Sequence, residues 1–246
     1  MQAIYEPKGK AKEYSPLACN LFAGCRHRCK YCYCPGILRK ALDEWGENPQ
    51  PRPGILDALE KDARRLGGMF PDKREVLFCF MSDPYQSKEA AEVTRQALTI
   101  CAKHHLKAQV LTKGGSLACQ DFDIMQRHGY KFGTTLLFSE EASREEWEPG
   151  AASIEERIAT VRAANGQGIY TWISVEPVID PEQAVEVING LLPWVDFWKV
   201  GKINHNAAIE AAVDWPAFLR RVRRAIPAER LYIKHDLMVA GTREST

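Results

Sequence analysis

Cys25, Cys29, Cys32 and Cys34 fall within the short stretch AGCRHRCKYCYCPG, and Cys19 lies just upstream. Thiols at this density serve as disulfides, zinc ligands, a redox dithiol or the ligands of an iron–sulfur cluster. Eight cysteines in 246 residues are too sparse for a disulfide scaffold. The opening MQAIYEPKGKAKEY is polar and has no apolar core of a signal peptide. No run of about 18 apolar residues suggests a membrane span. A cytoplasmic protein without a membrane anchor is therefore expected, and there thiols stay reduced.

Zinc sites usually take four protein ligands, often as two short-spaced pairs far apart in sequence. Here His104 and His105 are adjacent inside a helical pattern, and no second Cys/His pair is evident. Cys34 or Cys19 is available as a fourth ligand, although the C-Y-C spacing is unusual for zinc. Cys29 and Cys32 form a C-x-x-C pair without a thioredoxin-like order of elements around it. Cys25, Cys29 and Cys32, spaced C-x3-C-x2-C, supply three thiolates. On a 4Fe–4S cluster they leave one iron open to a small molecule, which pure electron transfer does not need.

Residues with such chemistry need a frame. Short apolar runs alternate with helical patterns along the chain. The runs are EVLFCFM (75–81), KAQVLT (107–112), KFGTTLLF (131–138), IYTWISV (169–175), DFWKVG (196–201) and RLYIK (230–234), preceded by a first strand near 16–22. They are nearly continuous in apolar residues, as strands buried on both faces should be. Helices are predicted near 55–67, 88–104, 116–128, 151–165, 181–192 and 215–225. EWGENPQPRPG (44–54) reads as a Pro-rich loop. This order predicts an α/β fold, a parallel-stranded partial or full (β/α) barrel of six to seven strands. Barrel chemistry belongs at the carboxyl ends of the strands. The polar stretches SDPYQ, TKGG, SEE, EPV and GKIN fall there. One unit over residues 1–246 is expected, with its core at about 15–205 and a helix-and-strand extension over 206–246.

The net charge of +1 disfavours a protein that coats nucleic acid through general basicity, but it allows a local phosphate-binding patch. Lys8, Lys10 and Lys12 form one candidate, and Arg26, Arg28 and Lys30 among the cysteines form another. Arg220, Arg221, Arg223 and Arg224 read as the solvated face of a helix that buries Phe218, Leu219 and Val222.

C-x3-C-x2-C at the end of the first strand of a βα protein, with an aromatic before its last cysteine, resembles the radical S-adenosylmethionine (SAM) superfamily. CNLFAGCRHRCKYCYCPG is further similar to the N-x-Y-x-G-C-x-H-x-C-x-Y-C-Y pattern of its spore photoproduct lyase-like branch. MSDPYQSKE, LTKGG, WEPGAASIEERI and WISVEPVID follow in the order of that branch, so the likeness covers about residues 15 to 200. The resemblance implies a 4Fe–4S cluster on Cys25, Cys29 and Cys32, with SAM on the open iron. It places Tyr31, Ser82, Asp83, Lys113, Thr135 and Glu176 around SAM: Tyr31 at adenine, Ser82 and Asp83 at the ammonium group, Lys113 at the carboxylate and Thr135 at the ribose. It implies an electron donor such as flavodoxin or ferredoxin, reductive cleavage of SAM to a 5′-deoxyadenosyl radical, and hydrogen abstraction from a substrate. A damaged or modified pyrimidine in nucleic acid is the expected target. A peptide or small metabolite is the alternative, and a zinc or redox-sensing protein is the reading outside enzymology.

The likeness has a gap. In the lyase a cysteine two residues before the strand-ending serine returns a hydrogen atom to the product radical, and Phe80 stands there in this chain. Cys79 is adjacent but belongs to the opposite strand face. Tyr31 and Tyr33, which flank the third cluster cysteine, match the tyrosines of the lyase relay and are the candidate catalytic residues.

Overall fold

The computed structural model describes residues 1–68 and 70–242. Its strands are β1 (Ile4–Tyr5), β2 (Leu17–Cys19), β3 (Phe22–Ala23), β4 (Gln50–Pro51), β5 (Glu75–Phe78), β6 (Lys107–Thr112), β7 (Lys131–Thr135), β8 (Tyr170–Val178), β9 (Phe197–Lys202) and β10 (Leu231–Ile233). Its helices are α1 (Cys34–Leu38), α2 (Leu42–Glu47), α3 (Ile55–Leu66), α4 (Lys88–Lys103), α5 (Phe122–His128), α6 (Glu141–Trp147), α7 (Ile154–Gly166), α8 (Pro181–Leu191), α9 (Ala207–Ala212), α10 (Trp215–Ala225) and α11 (His235–Gly241).

The main sheet runs β1-β2-β5-β6-β7-β8-β9-β10. Every neighbouring pair from β2 to β10 is parallel, and only β1 is antiparallel, on the outer edge of β2. The expected parallel β/α order is therefore present. The sheet ends on β1 and β10, which do not pair with each other, so the barrel is partial.

Helix starts follow the capping chemistry that the sequence advertises. Asp180 accepts from the Glu182 and Gln183 amides at 2.8 and 3.2 Å, with Pro181 in the first turn of α8. Ser87 caps α4 through the Ala90 amide at 3.2 Å, and Ser153 caps α7 through the Glu156 amide at 3.1 Å. On α10, Phe218, Leu219 and Val222 face inward while Arg220, Arg223 and Arg224 are exposed. Arg221 is ion-paired with Glu182.

Two stretches differ from expectation. The helix predicted over 116–128 is a tight 3-10 turn at Gly115–Asp121 followed by α5. The Ser116 amide is held by Glu156 of α7 at 2.9 Å, which ties the first turn to a neighbouring helix. The Pro-rich loop at 44–54 contains part of α2 and all of β4, and β4 pairs with β3. This hairpin carries the cysteine loop: the Cys25 amide donates to the Trp45 carbonyl at 3.2 Å.

The open side of the sheet, between its edge strands β10 and β1, is bridged by the segment that joins β1 to β2. Glu13 accepts from the His235 amide at 2.8 Å and from the Tyr232 hydroxyl at 3.1 Å. Lys199 of β9 donates to the Glu13 and Tyr14 carbonyls, and Lys10 pairs with Asp236. No helix among the described residues is long and apolar enough to cross a membrane.

Candidate active site

The cysteine loop crosses the carboxyl ends of the strands. Cys29 is buried, and Cys25 and Cys32 are partly exposed. Burial raises the Cys25 and Cys29 thiols, Cys29 to about 12. A hydrogen bond from the neighbouring Cys34 lowers Cys32 to about 7. Cys34 itself is buried at the start of α1. Arg26, Arg28 and Lys30 alternate with these residues and point to solvent, where Lys30 lies 3.3 Å from Glu146.

Three long-range contacts fix the loop. His27 meets the Gly150 carbonyl through Nδ1 at 2.9 Å and Asp83 through Nε2 at 3.0 Å. Tyr31 donates its phenol to Glu148. Glu148 and Arg157 form a fully buried ion pair at 2.7 Å, and Arg157 also donates to the Thr135 carbonyl at 2.9 Å. The WEPG stretch thus locks onto the cysteine loop. A Cβ on Gly150 would come 2.2 Å from the Arg26 carbonyl, so only glycine permits this approach.

Lys113 follows β6, and its ammonium lies 5.6 Å from the Tyr31 ring centre. Burial works against its charge, but Cys29, Glu148 and Asp83 outweigh that and raise its pKa. The Ser82 hydroxyl is buried without a hydrogen-bond partner among the described residues. Thr135 is buried at the end of β7. Cys29, Tyr31 and Lys113 therefore share one side of the barrel mouth, with Asp83 and Glu148 around them.

Asp83, expected to accept from the SAM ammonium group, has several partners within the protein. Its carboxylate accepts from the Tyr85 amide at 2.8 Å, the Thr112 hydroxyl at 2.6 Å and the Lys113 amide at 2.6 Å, and His27 sits at 3.0 Å. Three of the roughly four acceptor positions of a carboxylate are thus taken by hydrogen bonds within the protein. Burial would raise its pKa, but His27, Thr112 and the Lys113 amide hold it at about 2. Asp83 is the joint between the cysteine loop and β6.

Glu176 also has protein partners. Lys234 meets its two oxygens at 3.0 and 2.8 Å, and Tyr14 donates its phenol to the same carboxylate. The Tyr14 oxygen lies 2.8 Å from the Ser174 hydroxyl. Tyr33 is half exposed and donates to the Phe80 carbonyl at 3.1 Å. The Phe80 ring packs edge-on against Tyr14, with centroids 5.9 Å apart, while Cys79 is buried in the core. Sequence reasoning missed Tyr14, Lys199 and Lys234. Tyr14 precedes the first strand of the parallel series, and Lys234 lies in the C-terminal stretch, where no motif marks it.

The family model described as the radical SAM superfamily matches residues 19–189. The chain belongs to the radical SAM superfamily. It is thus a radical SAM enzyme of a family that uses a 4Fe–4S cluster and SAM. The uncharacterized protein MJ0683 of Methanocaldococcus jannaschii is 25% identical over 195 residues, which cover 78% of this chain and 71% of that protein. Among solved structures, spore photoproduct lyase complexed with dinucleoside spore photoproduct superposes with a TM-score of 0.65 at 16% identity, over 92% of this chain and 65% of that one. SuiB of Streptococcus suis bound to S-adenosylmethionine gives 0.65 at 12%, over 92% of this chain and 52% of that one. These likenesses establish a radical SAM partial-barrel fold, and the chain spans less than two thirds of both proteins.

The donor set suits the family's cofactors. No three His, Cys, Asp or Glu side chains among the described residues converge as ligands of a single metal ion. A cubane cluster places its thiolates on separate irons and so holds them farther apart than one ion does. The unpartnered Ser82 hydroxyl and the Lys113 ammonium provide a polar and a cationic group for a zwitterion.

Proposed function

We propose that Cys25, Cys29 and Cys32 hold a 4Fe–4S cluster, that SAM binds beside Tyr31, Ser82, Lys113 and Thr135, and that the enzyme abstracts hydrogen from a damaged or modified pyrimidine in nucleic acid. Cluster and SAM together supply a 5′-deoxyadenosyl radical when reduced by an external donor such as flavodoxin or ferredoxin. The residues of the chain bind and orient. Lys113 pairs with the SAM carboxylate as a point charge. Ser82 meets the ammonium group. Asp83 acts one step removed, because it fixes the Lys113 amide and His27.

The observation that carries this reading is the meeting of the cysteine loop with Lys113 through Tyr31. The pyrimidine target rests on the fold shared with spore photoproduct lyase and on exposed Arg26 and Arg28 at the mouth. The likeness to SuiB, which is also known bound to its precursor peptide SuiA, supports a peptide substrate as the second reading.

A label-transfer screen with the reconstituted enzyme tests the proposal. Deuterated oligonucleotides containing modified pyrimidines should pass label into 5′-deoxyadenosine, and their affinity should fall steeply with salt. Label transfer from a peptide alone, with no nucleic acid binding at low salt, replaces the target.

A further inference from the structure

The cluster around Glu176 buries charged groups at the seam of the sheet. Lys234 and Glu176 are only 6% and 16% exposed at their side chains, and a second carboxylate, Glu13, lies 3.7 Å from Lys234. Burying such charges adds little net stability compared with apolar packing. The surroundings are nevertheless built for this carboxylate. A Cβ on Gly201 would come 2.7 Å from Glu176 Cδ, so β9 is bare where the carboxylate sits.

Counting acceptor positions shows what remains open. A carboxylate has about four lone-pair sites. Lys234 uses one on each oxygen, and Tyr14 uses the second on Oε2. Oε1 keeps one. The side chain is partly accessible, and the Phe80 ring stands beside Tyr14 as an apolar wall. The charge of Glu176 is already matched by Lys234, so a cationic group is not called for, and a phosphate is repelled. A neutral N–H on a flat ring fits. Glu176 lies on β8, two strands from the Lys113 strand β6 and two residues beyond Ser174, the register partner of Thr135 on β7.

We propose that Glu176 Oε1 accepts the imide N–H of a pyrimidine, and that Tyr14 and Lys234 hold the carboxylate in place to read that edge of the substrate. This rests on the pyrimidine reading above, and it gives Glu176 a substrate contact in place of the expected SAM contact.

The test compares oligothymidylate with its N3-methylthymine counterpart, using the reconstituted enzyme with SAM at low ionic strength. Methylation removes the N–H and leaves every phosphate in place, so only the edge contact changes. The native enzyme should prefer the unmethylated strand roughly tenfold, the scale of one charge-assisted hydrogen bond. Glu176→Gln should lose most of that preference while keeping its SAM titration. Equal binding of both strands by the native enzyme overturns the inference and leaves nucleic acid recognition standing. A preference that survives in Glu176→Gln, or a loss of SAM binding in that variant, also overturns it. Failure of both strands to bind removes the nucleic acid reading itself, and this inference with it.

Discussion

The Tyr31 phenol donates to the carboxylate of Glu148, which lies 117 residues further along the chain. Glu148 in turn meets Arg157 at 2.7 Å, with both side chains fully buried. Tyr31 sits between two of the proposed cluster ligands, so one buried ion pair sets the position of the cysteine loop.

Breaking that pair should be severe. Glu148→Gln leaves a buried guanidinium uncompensated, and a loss of about 3–5 kcal/mol in urea unfolding is expected. Glu148→Gln combined with Arg157→Met should recover part of it, because no charge is then left alone. Equal stability of the single and double variants would show that the pair is not coupled.

Ser82→Ala separates the protein from its ligand. Its hydroxyl is buried and unpartnered, and an unsatisfied buried polar group costs about 1–3 kcal/mol. The SAM-free variant should therefore be as stable as the native chain or more so, while SAM binding weakens. Lys113→Met should weaken SAM roughly tenfold or more with the cluster retained. SAM titrations unchanged in both variants would reject the pocket.

Lys199 gives stability a pH dependence. Burial, followed by the charge of Lys234, lowers its pKa from 10.5 to about 8 in the folded chain. Below about pH 8 both states keep the proton, and the penalty for a buried charge is present in full. Between about pH 8 and 10 the unfolded chain holds more protons, so this residue contributes rising stability, on the order of 2 kcal/mol. Urea unfolding at several pH values should show that rise for the native chain relative to Lys199→Met. Parallel profiles would contradict it.

Much of this arrangement is legible in the sequence because local chemistry determines it. KAQVLT is strand β6 at the expected bounds, and Asp180–Pro181 starts α8 as its capping chemistry requires. The proposed cluster ligands lie close together in sequence, so their spacing carries the signal. What escaped is non-local. Asp83 reads from the sequence as a group at the SAM ammonium, yet its partners within the protein come from the cysteine loop and β6 as well as from its own turn. Tyr14, Glu176 and Lys234 meet because the segment between β1 and β2 crosses the open side of the sheet. No spacing rule links residues so far apart.

The central claim is that Cys25, Cys29 and Cys32 alone hold a cubane cluster with one open iron. Iron and sulfide content after anaerobic reconstitution tests it most directly, with single alanine variants of these three and of Cys34, which lies two residues after Cys32. The account predicts about four irons and four sulfides per chain in the native protein and in Cys34→Ala, and loss of the cluster in each of the other three. A full complement of iron in any of those three, stoichiometric zinc in its place, or cluster loss in Cys34→Ala would contradict it.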